Sequence, residues 1–167
     1  MKLSIIIPVF NEEKTIGEIL ERVSKVKLPQ SVTKEIIVVA DGSTDATASE
    51  IRLSARNLLK ASNSKLEIRN CKIITHAKNL GKGAAVRTGI SHASGDYVII
   101  QDADLEYNPQ EIKRLLDVVD KTGAPVVFGS RNMESSWRRL LKGFFFVSIG
   151  VWASTKLINI LYGIHLT

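Results

Sequence analysis

A single cysteine, Cys71, stands among 167 residues, which excludes an internal disulfide and leaves no companions for a zinc site. Its thiol reads as a small packing group at the start of a strand, and such sparing use fits a reducing compartment. The three histidines, His76, His92 and His165, lack ligand spacing, and His92 falls at a helix end where a charge–dipole role suffices. No Gly-x-Ser-x-Gly elbow is present, so no hydrolase constellation competes. Gly-x-x-x-x-Gly-Lys-Ser/Thr is also absent, and no Gly-x-Gly-x-x-Gly follows the first strand, which weakens both P-loop and dinucleotide readings. Internal repeats and low-complexity tracts are missing. No secretory leader is expected, since Met1-Lys2 opens into only a short apolar run before Pro8, Asn11 and Glu12.

What remains is the composition of one globular domain, 44% hydrophobic and 24% charged. The net charge of +6 favours polyanionic partners, whether nucleotide phosphates, anionic lipid or nucleic acid, without choosing among them. Strand and helix patterns alternate. Leu3 to Ile7 read as a buried strand ended by Pro8. Thr15 with Glu18 resembles a capping box opening a helix that carries Ile16, Ile19, Leu20 and Val23 on one face. Glu35 to Ala40 form a second strand, Asp41 to Asp45 a turn with Asp45 as N-cap, and Ala46 to about Leu59 a helix. Cys71 to Thr75, Gly81 to His92 and Tyr97 to Ile100 continue the series. Asn108-Pro109 starts a further helix, and Ala124 to Phe128 reads as another strand before Gly129-Ser130-Arg131. This order predicts an α/β fold, a doubly wound, mainly parallel, Rossmann-like sheet flanked by helices.

The segment Asp96-Tyr97-Val98-Ile99-Ile100-Gln101-Asp102-Ala103-Asp104 says most about function. Four β-branched or aromatic residues in a row suit a strand buried on both faces. The carboxylates that follow then lie where open α/β sheets bind ligands. If the chain stays extended, Asp102 and Asp104 point the same way with α-carbons roughly 6.5 to 7 Å apart. Hard oxygen ligands so placed suit Mg²⁺ or Mn²⁺ bridging to a diphosphate; the other reading is a solvated acidic turn. Three more segments join this edge: Pro8 to Glu13, Asp41 to Asp45, and Asn79 to Gly83. Gly81-Lys82-Gly83 is either a phosphate-approaching loop, with Lys82 or Arg87 adding charge, or a plain helix start. Asp41 is open to two readings, an acceptor for a base or ribose and an Asx turn.

Beyond Arg131, Trp137-Arg138-Arg139-Leu140-Leu141-Lys142 leads into an apolar stretch from Gly143 to Gly163, broken mainly by Ser148, Thr155, Lys156 and Asn159 along one helical stripe. Lys156 at the middle of a membrane span would cost about 2.5 to 3.5 kcal/mol. A basic cluster ahead of a wide apolar face suits a helix lying on an anionic leaflet, with packing against further protein or a true span as the alternatives. His165-Leu166-Thr167 carries no helix stop, and a shortened chain is expected.

In order, Ser4 to Glu13, Ile36 to Asp45, Asn79 to Gly83, Asp102 to Glu106 and Gly129 to Arg131 resemble the motifs of family 2 glycosyltransferases, in particular the polyprenyl-phosphate branch that includes dolichol-phosphate mannose and glucose synthases. The resemblance covers residues 3 to 142 firmly and the rest loosely. It implies a GT-A fold over residues 1–137, and over 138–167 an apolar C-terminal helix at a membrane interface. It also implies a nucleotide-sugar donor of the GDP-mannose or UDP-glucose type, Mg²⁺ or Mn²⁺, inversion at the anomeric carbon, and a dolichyl or undecaprenyl phosphate acceptor. Nucleic acid is not an implied partner, and oligomeric state stays open. The implied location is the cytoplasmic face of a membrane, peripherally bound. By position, Pro8, Phe10, Glu12, Val39, Asp41, Lys82, Ala103 and Glu106 match donor-binding residues. Asp102 and Asp104 match the metal and diphosphate site, and Arg131 with Arg138 or Arg139 matches basic positions for donor or acceptor phosphate. Ala40 departs from the pattern, where many relatives carry another acid. A sugar nucleotidyltransferase would need a glycine-rich basic loop after the first strand, where this chain has Val9-Phe10-Asn11-Glu12-Glu13. A non-catalytic donor-binding domain is the other alternative.

Overall fold

Three isoleucines in succession, Ile5 to Ile7, cannot alternate between core and water, so the strand that holds them has to be covered on both faces. In the computed structural model, which describes residues 1–61, 71–129, 155–157 and 160, β1 runs Lys2–Val9 and is buried from Leu3 onward. Strand β2, Thr33–Asp41, pairs with it in parallel from Lys2↔Thr33 to Val9↔Ala40. Strand β3, Cys71–His76, lies outside β2, and β4, Tyr97–Ile100, lies on the other side of β1. The sheet order is β3-β2-β1-β4, all parallel.

Helices cover both faces. On one, Leu3, Ile5, Ile7 and Val9 of β1 and Ile36 and Val38 of β2 meet α1 (Ile16–Ser24), Ile51 of α2 (Thr47–Ala61) and Ile112 and Leu116 of α4 (Ile112–Thr122). On the other, Ile6, Ile37 and Val39 pack on Ala85 of α3 (Lys82–His92). The small residues of α3 permit a close approach: a Cβ on Gly89 would stand 2.4 Å from Ile6 Cγ2. The expected parallel, Rossmann-like sheet flanked by helices is therefore present.

Several local expectations are corrected. Pro8 does not end β1, which continues to Val9. Residues alternate sides along a strand, and Ile6 O accepts from Gln101 N–H on the β4 side. Pro8 faces that same side beyond the end of β4, so its missing N–H costs no ladder bond. The capping box at Thr15 does not form; its hydroxyl donates instead to Glu12 Oε2, and the Glu12 carbonyl accepts from Thr15 and Ile16 N–H. Strand β4 is not buried on both faces: at the edge of the described sheet, Val98 and Ile100 are exposed beside α3's side of the sheet. Asn108 does cap the next element, but Pro109–Glu111 is a 3-10 turn before α4. No strand is described over Ala124 to Phe128, where Val126 is 63% and Phe128 89% exposed; apolar pattern alone makes a strand only where a neighbour takes up its backbone groups.

The chain separates into two compact units, Met1–Lys121 and Thr122–Thr167. In the second, residues 155–157 and 160 are helical. Among the described residues no helix is long and apolar enough to cross a membrane. The basic Trp137–Lys142 cluster and most of the Gly143–Gly163 stretch lie outside the described residues.

Candidate active site

Parallel strands deliver their C-terminal loops to one edge, and here the loops after β1 and β2 are laced together. Asn11 N–H donates to Ser43 Oγ at 3.1 Å, Glu12 N–H to Thr47 Oγ1 at 2.8 Å and Glu13 N–H to Asp45 Oδ2 at 3.4 Å. In return Thr44 N–H donates to Asn11 Oδ1 at 2.9 Å and Ala46 N–H to Glu13 Oε2 at 3.0 Å. Asn11 makes this turn at a φ of 54°, a left-handed conformation that asparagine tolerates. Asp45 accepts Thr47 N–H at 3.0 Å, but α2 begins at Thr47 and the Ala46 carbonyl accepts its first bond, from Glu50 N–H, so the N-cap position falls to Ala46 and Asp45 stands one residue ahead of it.

Asp41 closes the end of β2 and is 2% exposed. It makes no Asx turn. Its Oδ1 takes Leu80 N–H at 3.0 Å and its Oδ2 takes Gly81 N–H at 2.8 Å, while His76 Nδ1 lies 2.6 Å from Oδ1. Burial pushes the Asp41 carboxyl up, but the His76 bond and the two backbone N–H groups outweigh it and hold it below the ordinary carboxylate range. The adjacent Gly42 has φ +64°, and a Cβ there would fall 2.2 Å from the Lys78 carbonyl carbon. The 78–81 backbone therefore lies flush against the turn after β2, where only glycine fits.

The same loop presents Lys82, whose Nζ is 2.6 Å from Asp102 Oδ1, with the lysine side chain 64% and the aspartate 24% exposed. Beyond it the chain is bent rather than extended: β4 stops at Ile100, Leu105 has φ 63°, and Asp104 Oδ1 accepts Glu106 N–H at 3.1 Å. The alternation argument for Asp102 and Asp104 thus does not apply, because the strand has ended before them. Gln101, buried, closes this loop by donating from Nε2 to the Asp102 carbonyl at 3.1 Å and the Tyr107 carbonyl at 3.3 Å.

Of the other residues singled out in the sequence, Phe10 is 42% exposed just past β1, and Pro8 and Val39 are buried register partners. Val39 and Ala103 point into the core, Ala103 on the α1 side. Glu12 is half-buried and Glu106 exposed. Arg131, Arg138 and Arg139 lie outside the described residues. Among the described residues no three His, Cys, Asp or Glu side chains converge on a metal position. The two carboxylates nonetheless have the chemistry of a Mg²⁺ or Mn²⁺ site that takes one or two protein oxygens and completes its shell with phosphate and water.

The residue that sequence reasoning set aside is His76. Lack of ligand spacing counted against it, yet in parallel register it is the Cα partner of Asp41. Only the register of β3 against β2 brings the pair together. His92 lies at the end of α3, where it was expected, its Nδ1 2.9 Å from the Thr88 carbonyl.

A family model described as glycosyl transferase family 2 matches residues 4–142. Among curated proteins, a dodecaprenyl-phosphate galacturonate synthase from Rhizobium johnstonii is 30% identical over 167 residues, 99% of this chain and 45% of that protein. An undecaprenyl-phosphate 4-deoxy-4-formamido-L-arabinose transferase from Proteus mirabilis is 36% identical over 138 residues, 83% of this chain and 40% of that protein. The chain thus spans less than half the length of these relatives. Among solved structures, the mannosyltransferase PcManGT from Pyrobaculum calidifontis, in complex with GDP-Man and Mn²⁺, aligns with a TM-score of 0.60 and 25% identity over 70% of this chain and 32% of that one. S. aureus TarS with UDP aligns at 0.57 and 31% over 72% and 32%.

Proposed function

From the premise that the chain belongs to glycosyl transferase family 2, with a GT-A-like sheet, we propose that it forms the donor-binding part of an inverting glycosyltransferase. In this reading a hexose-type sugar moves from a nucleotide sugar to a polyprenyl phosphate. The observation that carries it is the loop pinned by Asp41, which sets a lysine against Asp102 at the C-terminal edge of the sheet. Pro8, Phe10, Glu12, Val39 and Asp41 take the nucleoside end, and Lys82, Asp102, Ala103, Asp104 and Glu106 the diphosphate and sugar end. Asp102 and Asp104 would hold Mg²⁺ or Mn²⁺, which would supply Lewis-acid neutralisation of the departing diphosphate. Lys82 adds a positive charge on the same side, where charge develops in the transition state.

Two relatives are named for transfer involving dodecaprenyl or undecaprenyl phosphate, which supports the acceptor. A phosphate is already an anionic nucleophile at neutral pH, so no general base is required. Arg131 and Arg138 would orient it, and the basic and apolar segment 138–167 would bring the chain to the cytoplasmic face of a membrane. The nucleotidyltransferase alternative is disfavoured by the β1 loop, because the N–H groups of Asn11, Glu12 and Glu13 are engaged by the β2 loop and are not free to cradle phosphates.

Calorimetric titration with GDP, UDP and their sugar conjugates, with and without Mn²⁺, tests the donor site. Metal-dependent binding of one nucleotide, abolished by Asp104→Ala in a folded protein, is the expected result. Affinity in Asp104→Ala that still responds to Mn²⁺ as in wild type would refute the metal role. Incorporation of labelled sugar into a lipid-extractable product tests the acceptor, and transfer only to soluble sugars or peptides would sink it.

A further inference from the structure

The loop that carries Lys82 to Asp102 is held from outside. Gly81 is at φ +88°; the Leu80 N–H is spent on Asp41, and the Gly81 N–H is shared between Asp41 Oδ2 and Asn79 Oδ1. Asp41 needs a hold of its own, since a carboxylate that swung away would release the Leu80 amide and leave the Gly81 amide to Asn79 alone. His76 provides it, with Nδ1 2.6 Å from Asp41 Oδ1. Behind the ring, Nε2 is 2.9 Å from Thr88 Oγ1. A neutral imidazole with its proton on Nδ1 donates to the carboxylate and accepts the Thr88 hydroxyl, so each polar atom finds a partner of the right kind. Thr88 belongs to α3, the helix that the Gly81 loop opens, and the connections therefore close a ring through β2, β3, α3 and the loop.

The bland account is that His76 simply packs. Its surroundings argue otherwise: β3 is an edge strand of the described sheet, and Lys72, Ile73 and Thr75 beside it are exposed. The imidazole is 11% exposed, and both of its ring nitrogens have a polar partner, which packing alone does not require.

We propose that His76, backed by Thr88, is a positioning residue that fixes the Asp41 carboxylate and through it the Leu80–Lys82 loop, so that the Lys82 ammonium is held at Asp102 for the donor diphosphate. The clause about the diphosphate rests on the nucleotide-sugar reading above; the clause about the loop does not. His76 touches neither donor nor acceptor in this role.

The test uses the full chain with His76→Ala, His76→Asn and Thr88→Val. Asparagine is chosen because its amide N–H₂ can take the place of Nδ1–H toward Asp41. Two readouts are made, hydrogen exchange at the Leu80 and Gly81 amides without ligand, and calorimetric affinity for GDP and UDP with Mn²⁺. In His76→Ala, exchange at the Leu80 amide should rise and affinity should fall, each by about tenfold, as for loss of one charge-assisted hydrogen bond, with a smaller rise at Gly81, whose N–H keeps Asn79 Oδ1. His76→Asn should restore most of both, and Thr88→Val should fall between. Unchanged amide exchange in His76→Ala, or a His76→Asn variant as impaired as alanine, would overturn the proposal. If wild type binds neither nucleotide, the donor reading falls, and amide exchange still decides the positioning role.

Discussion

Glu35 in β2 is 1% exposed, and protonating it should unfasten the start of β4 from the centre of the sheet. Its carboxylate accepts the Ser4 hydroxyl and the Ser94 N–H, both at 2.6 Å, and lies 3.0 Å from Lys2 Nζ. Burial pushes the carboxyl up, but these donors, with the Ser94 hydroxyl, outweigh it and bring it from the usual 4.5 to about 2. That difference corresponds to about 3 kcal/mol of stability at pH 7. Because the folded-state value lies below the unfolded one, the contribution is complete above 4.5 and is lost as pH falls toward 2; about 1.4 kcal/mol remains at pH 3. Urea unfolding of wild type and Glu35→Gln at both pH values measures it, and the comparison cancels other carboxylates, including Asp41. With a slope of about 1 to 3 kcal/mol per molar urea, the midpoints should differ by about 1 M or more at pH 7. At pH 3 the gap should shrink to less than half. An equal gap at both pH values, or no gap at pH 7, would refute the assignment of this stability to the ionised carboxylate.

Gly42→Ala should be destabilising by at least about 1 to 2 kcal/mol from the left-handed backbone alone. The added Cβ would also displace the 78–81 loop from Asp41, so urea midpoint and nucleotide affinity should fall together; wild-type affinity would contradict the close approach. Lys82→Ala should separate these effects. The Lys82–Asp102 pair is exposed, so the midpoint should move by less than about 0.5 kcal/mol, while GDP or UDP affinity with Mn²⁺ should drop about tenfold. Loss of stability with affinity intact would reverse the roles assigned to that pair.

The order of strands and helices was legible because it is written in local pattern. Ile5 to Ile7 and Ile36 to Val39 are runs no surface strand would carry, and Ile16, Ile19, Leu20 and Val23 recur at helical spacing. The candidate site was legible as a set of loops, since parallel strands must send their C-terminal turns to one edge. Ala124 to Phe128 has the same local pattern and forms no described strand, because a strand also requires a neighbour that no five-residue window contains. Pro8 within β1, the exposed face of β4 and the bend at Asp102 to Asp104 likewise depend on where an adjacent strand stops. His76 is the sharpest case: its partner Asp41 is 35 residues away and Thr88 is 12, so no spacing rule could pair them. Local hydrophobic periodicity was enough to specify the elements and their sequence. The register between strands and the closure of loops, which are set by packing and hydrogen bonds across the chain, decided which side chains meet at the edge of the sheet.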